Sequence, residues 1–176
     1  MKLPPRQPAR TRGFTLIEMA VTTTIASVLA AAAVPSFSHS IGKQRLTMTT
    51  NELNATFSLA RSESMARGER VAVVPMSGAN WSSGWRVFHD ANDNGALDAG
   101  EQVLREFGAP PQGISIEPVG SGLNAVVSYN ASGLARRPGG DGLALGRFVI
   151  KYNDADPRSI CFSAARTRVA PGPTCS

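Results

Sequence analysis

Gly13-Phe14-Thr15-Leu16-Ile17-Glu18-Met19-Ala20-Val21-Thr22-Thr23-Thr24-Ile25-Ala26-Ser27-Val28-Leu29-Ala30-Ala31-Ala32-Ala33-Val34 decides how the rest of this 176-residue chain is read. From Phe14 to Val34 every residue is apolar or small except Glu18. A helix of that length, at about 1.5 Å per residue, just crosses a hydrocarbon core about 30 Å thick. Glu18 breaks the pattern. An ionised carboxylate within a span costs several kcal/mol unless a partner or water satisfies it, so its presence points to a function.

Upstream lie Lys2, Arg6, Arg10 and Arg12 with no acid, which predicts that the leader stays cytoplasmic while the remainder is exported. Downstream, Val34-Pro35-Ser36-Phe37 lacks the small-x-small pattern of a signal-peptidase site, so cleavage behind the apolar run is not expected. A plain signal anchor satisfies hydropathy alone. It does not explain Glu18. The formal charge of +5 is a poor guide to partners: without the four basic leader residues, 14 of the 18 Lys and Arg face 13 acids. Locally the balance differs, because Gly133 onward carries seven basic residues against Asp141, Asp154 and Asp156.

Gly13-Phe14-Thr15-Leu16-Ile17-Glu18, set between a basic leader and an apolar span, resembles the processing motif of type IV prepilins and pseudopilins. The resemblance implies cleavage behind Gly13 by a prepilin peptidase, methylation of the new N-terminus at Phe14, and pairing of Glu18 with the amino terminus of a neighbouring pilin. A paired charge is also what makes a buried carboxylate tolerable. Pro35 falls where many pilins kink their helix. Two further stretches, Leu59-Ala60-Arg61-Ser62-Glu63-Ser64-Met65-Ala66-Arg67-Gly68 and Trp81-x-x-Gly84-Trp85-x-Val87-Phe88-x-Asp90, are similar to the GspH/FimT family of minor pilins. The implied fold is the α+β type IV pilin fold, a long N-terminal helix packed on an antiparallel β-rich head. The implied localisation is the inner membrane, single-pass with a periplasmic head, and then a pilus or pseudopilus.

The residues divide accordingly: a removable basic leader at 1–13, a transmembrane and assembly helix at 14–35, an amphipathic helix at 36–68 and a β-rich head at 69–176. Leu46, Thr50, Leu53, Phe57, Ala60 and Ser64 recur at spacings of four and three, one face of a helix that Gly68 terminates. Beyond it, short β-like runs are separated by turn residues: Val71–Pro75, Trp85–Phe88, Gln102–Phe107, Ile114–Pro118, Ala125–Tyr129, Phe148–Tyr152 and Ser159–Phe162. They predict an antiparallel sheet. Cys161 and Cys175, an even count in an exported chain, predict a disulfide that stabilises by about 3 kcal/mol in the loop-entropy model.

Three places carry candidate chemistry. Asp90 to Glu101 fits the twelve-residue calcium-loop pattern, with Asp90, Asn92, Asn94, the Ala96 carbonyl, Asp98 and Glu101 as ligands and Gly95 at the tight turn. Its flanks read as strands, not as the two helices of an EF-hand, so an Asn/Asp/Gly hairpin loop accounts for the same residues. Arg166 and Arg168 alternate in an extended segment and therefore face one way, a pair suited to consecutive phosphates of double-stranded DNA. FimT-like pilins of natural transformation carry Gly-Arg-x-Arg near the C-terminus, which this segment resembles with Ala165 in place of glycine. The plain alternative is two solvated arginines. The disulfide loop is expected to hold the two guanidinium groups together. Arg136-Arg137-Pro138-Gly139-Gly140 is a basic turn that extends the patch or merely keeps a loop soluble.

No Ser-His-Asp order, metal-ligand histidine spacing, phosphate loop or dinucleotide fingerprint is present, so no catalytic role is expected. Two thiols without further ligands do not make a zinc site, and His39 and His89 are expected to be exposed or capping residues. Two functions follow from the resemblance: a minor type IV pilin that contributes to DNA binding and uptake, or a minor pseudopilin of a type II secretion system without DNA affinity.

Overall fold

In a computed structural model, residues 13–123, 125–140, 142–153, 155–163 and 166–175 are described, without the side chains of 32–39. The basic leader at 1–12, the Pro35 and His39 side chains, Asp141, Asp154 and Ala165 therefore lie outside the described residues. The chain divides into two compact units, 1–40 and 41–176. Helix α1 (Leu16–Arg67) contributes to both.

In the first unit Thr15 caps the helix, its Oγ1 accepting the Glu18 N–H at 3.2 Å. Thr-x-x-Glu is a helix-start pattern in its own right, which gives Glu18 a local reason to stand in the first turn. The hydroxyls of Thr22, Thr23, Thr24 and Ser27 bond to carbonyls of the preceding turn, so these residues add no unmet donor to an otherwise apolar surface. Phe14, Leu16 and Ile17 are exposed, as are Val21, Ile25, Val28 and Leu29 further along. Among the described residues no helix is long and apolar enough to cross a membrane. Side chains here are described only to Ala31, which covers part of the run that the sequence carries to Val34.

The second unit holds the core. All six positions of the four-and-three stripe, Leu46 through Ser64, are buried. Small and hydroxylated residues let the helix approach closely, and their polar atoms are met locally: Thr50 Oγ1 donates to Leu46 O and Thr56 Oγ1 to Glu52 O. Thr56 Oγ1 also accepts from Trp85 Nε1 at 3.1 Å. Gly68, with φ of 68°, ends the helix in the left-handed conformation that glycine adopts without strain. Gly42 serves another purpose. A Cβ there would collide with the Tyr152 ring, which lies against this turn of α1.

Nine strands follow: β1 (Val71–Ser77), β2 (Asn80–His89), β3 (Val103–Phe107), β4 (Ile114–Ser121), β5 (Val127–Tyr129), β6 (Ala135–Arg136), β7 (Leu145–Tyr152), β8 (Arg158–Ser163) and β9 (Arg166–Pro171). They form two antiparallel sheets instead of one, with orders β3-β2-β1-β5-β6 and β4-β7-β8-β9. One strand, β6, arises where the sequence predicts none, and β9 lies where an extended segment is expected outside the seven β-like runs. The sheets meet α1 in one aromatic cluster. Phe57 of α1 lies 6.1 Å from Trp81 of β2, 5.2 Å from Phe148 of β7 and 4.8 Å from Phe162 of β8, ring centre to ring centre. Trp81 and Phe148 themselves meet edge-on at 4.7 Å. Ser82 Oγ, accepting the Ile116 N–H at 3.0 Å, adds a polar tie between β2 and β4.

Phe57→Ala should cost about 3–5 kcal/mol, because it empties the place where helix and both sheets meet. Ser58→Ala, on the exposed side of the same turn, should stay within about 0.5 kcal/mol. Urea unfolding of the full chain in non-ionic detergent checks both. Equal midpoints for the two variants would disprove the central role of Phe57.

Candidate functional site

The Asp90–Glu101 loop joins β2 to β3, strands as its flanks predict, so it is a hairpin connection and not an EF-hand. Asp90 is fully buried and its carboxylate accepts the N–H groups of Asn94 and Gly95 at 3.1 and 3.0 Å. Asn92 Oδ1 accepts from Asn94 N and Asn94 Oδ1 from Ala96 N, the side-chain-to-backbone turns expected of asparagine. Glu101 accepts the N–H groups of Ala91 and Asp98, while Asp98 Oδ2 takes the amide N–H of both Asn92 and Asn94. The carboxylates are thus engaged by the loop's own donors. Among the described residues no group of three or more His, Cys, Asp or Glu is placed to hold a metal ion. The six proposed calcium ligands, Ala96 included, all belong to this hairpin turn, and the turn reading accounts for the hydrogen bonds.

The loop is also clamped from outside. Arg70, just past the end of α1, pairs with Asp93 at 2.9 Å, and its carbonyl accepts the Asp90 N–H. Gly95 leaves no room for a side chain, since a Cβ there would press on Pro138. The acidic loop and the basic turn at 136–140 are therefore packed neighbours. His89, expected to be exposed or capping, is instead buried, with Nδ1 2.8 Å from Glu69 Oε2. The cause is its place at the end of β2, paired with Val71, which turns the ring inward.

Arg166 and Arg168 stand on β9, the outer strand of the second sheet, and both are exposed. The expected extended segment is present, and its register explains the arrangement: Ser163 lies opposite Arg166 and Cys161 opposite Arg168. Directly opposed residues share a face, so the two arginines project from the face of Cys161, while Ile160 and Phe162 turn to the core. Cys161 and Cys175 form the disulfide, and Arg168 Nη2 donates to Cys175 O at 3.0 Å. A six-pair ladder from Arg158↔Pro171 to Ser163↔Arg166 holds the arginines side by side. The disulfide does not do so; it fastens the C-terminal tail beside Arg168.

Two shallow depressions border this strand. One, of about 530 Å³, is lined by Arg166, Arg168 and the disulfide residues; the other, of about 280 Å³, runs between α1 and the strands and is lined by Arg61, Met65, Tyr129 and Arg166 among others. Burial pushes the Tyr129 phenol well above its ordinary pKa, with the Arg61 charge acting in the opposite sense. Neither Arg136 nor Arg137 lines either depression. Arg136 sits on β6, the outer strand of the other sheet, and the Arg137 side chain packs over Gly122. The part of the site that sequence reading missed is Arg61. Its Nε donates to Gly133 O at 3.0 Å, across 72 residues, and no local pattern marks such a contact.

A long N-terminal helix that opens with Gly13-Phe14 and Glu18 and ends in a two-sheet head defines a type IV pilin-like subunit. Residues 49–167 match the family of the type II transport protein GspH, and residues 8–34 match the prokaryotic N-terminal methylation motif. The chain belongs to the GspH family, in the GspH/FimT group of pilin-like proteins. Its fold is similar to that of the type IV minor pilin FimU of Pseudomonas aeruginosa strain PAO1 in two crystal forms. In space group P21 the TM-score is 0.55 at 19% identity, over 74% of this chain and 90% of that one. In space group P65 it is 0.52 at 19% identity, over 73% and 93%. That likeness establishes the pilin fold. No curated protein matches.

The two loop aspartates should titrate on opposite sides of the ordinary Asp value. Burial, the first cause, raises Asp90 despite the N–H groups of Gly95 and Asn94, whereas the side-chain bonds from Asn92 and Asn94 lower Asp98. The stability signs are opposite as well. The Asp90 contribution is present at low pH and lost as pH rises through its folded value, and the Asp98 contribution is lost as pH falls through its own. Carboxyl-carbon NMR titration of the full chain reads both, and coincident midpoints would refute the assignment.

Proposed function

We propose that this chain is a minor pilin of a type IV pilus, a structural and assembly subunit that also contacts DNA during uptake. The family and the methylation motif support the pilin-like part. The leader is removed behind Gly13 by prepilin peptidase, Phe14 becomes the methylated N-terminus, and the helix from Phe14 holds the subunit in the inner membrane, head outward, until it joins other pilins. The Glu18 carboxylate has no hydrogen bond or ion pair among the described residues and is exposed in the first turn of α1, which suits a carboxylate awaiting the amino terminus of an incoming neighbour. No step of this role is catalytic.

The observation that carries the DNA part is the pair Arg166 and Arg168, exposed side by side on a rigid outer strand. Planar guanidinium groups two residues apart suit the repeating charge of a phosphate backbone and read no sequence. Two such groups neutralise few phosphates, so one subunit binds weakly, and a filament of many raises the effective concentration. The second reading, a minor pseudopilin of a type II secretion system, is favoured by the description of the matching family itself. It requires no DNA affinity.

Two outcomes are expected. Mass analysis of assembled material should find a chain beginning at N-methylated Phe14, with Glu18→Ala cleaved normally but poorly incorporated; retention of Met1 would sink the processing scheme. In fluorescence anisotropy, the full processed chain in non-ionic detergent should bind duplex DNA at roughly 10⁻⁴ to 10⁻⁶ M near physiological salt. Arg166→Ala with Arg168→Ala should abolish that binding, and Arg136→Ala with Arg137→Ala should weaken it less. Affinity unchanged in the Arg166/Arg168 variant at two salt concentrations would transfer the protein to the secretion reading.

A further inference from the structure

Arg166 lines both depressions beside β9, so the cleft at the disulfide and the groove beside α1 share a wall. Arg168 borders the first and Arg61 the second, so three guanidinium groups flank one continuous stretch of surface. Among the described residues that line it none is acidic, and the hydroxyls of Ser58, Ser62 and Ser163 are turned to backbone carbonyls, which leaves the arginines as its charged donors. Ser58, Arg61, Ser62 and Met65 fall at i, i+3, i+4 and i+7, one face of α1, so the helix itself forms the far bank. Concave surface of a single sign concentrates the potential felt by a polyanion.

Arg61 is built into that bank. Its Nε bond to Gly133 O fixes the guanidinium plane, and Gly133 itself sits so close that a Cβ there would press on the Met65 side chain and on Arg61 Nε. We propose that Arg61 is a phosphate-binding residue, and that a DNA strand runs from Arg168 past Arg166 into the groove beside α1, where Arg61 takes a phosphate. The inference rests on the DNA reading above and deepens it by naming a third contact, on the helix. The groove binds backbone only; arginines at a phosphate position the strand without reading its bases. The competing role for Arg61 is a mere tether of the turn at 130–134, which needs the Nε bond but not the charge.

Affinity for a duplex of random sequence, measured by anisotropy across salt concentrations on the full processed chain in non-ionic detergent, separates the two. Arg61→Gln should weaken binding about 5- to 10-fold and lower the log–log salt slope by about one, the signature of one lost phosphate contact. Arg61→Lys, which keeps the charge but lacks the Nε donor, should keep the slope that Arg61→Gln loses; an equal loss in both would show that the Nε bond, not the charge, matters, and would overturn the assignment. Ser62→Glu provides a control on folding, since the Ser62 hydroxyl is exposed and bonds only to Leu59 O of its own helix. It should weaken binding by a similar factor while melting like the unmodified chain. If Arg61→Gln and Ser62→Glu bind with unmodified affinity and slope while the Arg166/Arg168 variant does not bind, Arg61 is a tether and the DNA reading survives without it. If the unmodified chain binds no DNA, both fall together.

Discussion

The rest of the head depends on one ring. Phe57 is fully buried and touches an aromatic residue of β2, of β7 and of β8, so the helix and both sheets converge on it. Edge-on and tilted contacts at 4.8 to 6.1 Å suit the ring quadrupoles as well as the burial. Around Phe57 the helix presents Thr49, Thr50, Thr56, Ala60 and Ser64, none larger than threonine, so that its axis comes close enough for the ring to reach across. Hydroxyls at a buried interface would be a liability if unmet. Here Thr50 and Thr56 bond within their own helix and Trp85 completes Thr56, so close approach leaves these donors no desolvation debt.

That packing also fixes where the basic surface lies. With Leu53, Phe57, Ala60 and Ser64 turned inward, Ser58, Arg61, Ser62 and Met65 occupy the adjoining face, level with β8 and β9. Arg166 and Arg61, 105 positions apart, border one groove because the ladder Ser163↔Arg166 continues the strand whose Phe162 packs on Phe57. The core and the candidate interface are therefore two sides of the same contact.

What the sequence discloses follows from how local each cause is. The buried stripe of α1 and its stop at Gly68 were legible, since period and left-handed caps are local properties. Strand cores such as Val71–Pro75 and Ile114–Pro118 were legible too, through alternation between turn residues. The strand β9, Arg-Thr-Arg-Val-Ala-Pro, was legible as an extended segment but not as a sheet member, because its place comes from its six partners on β8. Likewise Trp81-Ser82-Ser83-Gly84 lies outside the predicted run, yet it is carried in β2 as an irregularity between the pairs Pro75↔Trp85 and Ser77↔Asn80. The division into two sheets and the place of Arg61 depend on long-range contacts, which no local pattern records. At the acidic loop the residue types point to tight turns, and the bonds of Asp90 and Glu101 to the loop's own N–H groups are those turns.

The arginines of β9 also bear on what an outer strand must avoid. An exposed sheet edge invites pairing with another chain, and charged side chains are a common defence. That duty acts along the edge, through the backbone N–H and C=O groups that β9 leaves unpaired by any other strand. Arg166 and Arg168 project instead from the sheet face that carries the disulfide, and Arg168 is further steadied by the Cys175 carbonyl. Edge protection would be met by any charge with a long, mobile stem; it does not call for a fixed guanidinium, a neighbouring arginine on a helix, or a depression without acids between them. Outside residues 1–13 the chain has 14 Lys and Arg against 13 acids, so it has no general attraction for a polyanion. Any affinity for one must come from local segregation of charge, and among the described residues the edge at β9, with Arg61 of α1 on one side and Arg166 and Arg168 on the other, gathers basic groups around depressions without acids.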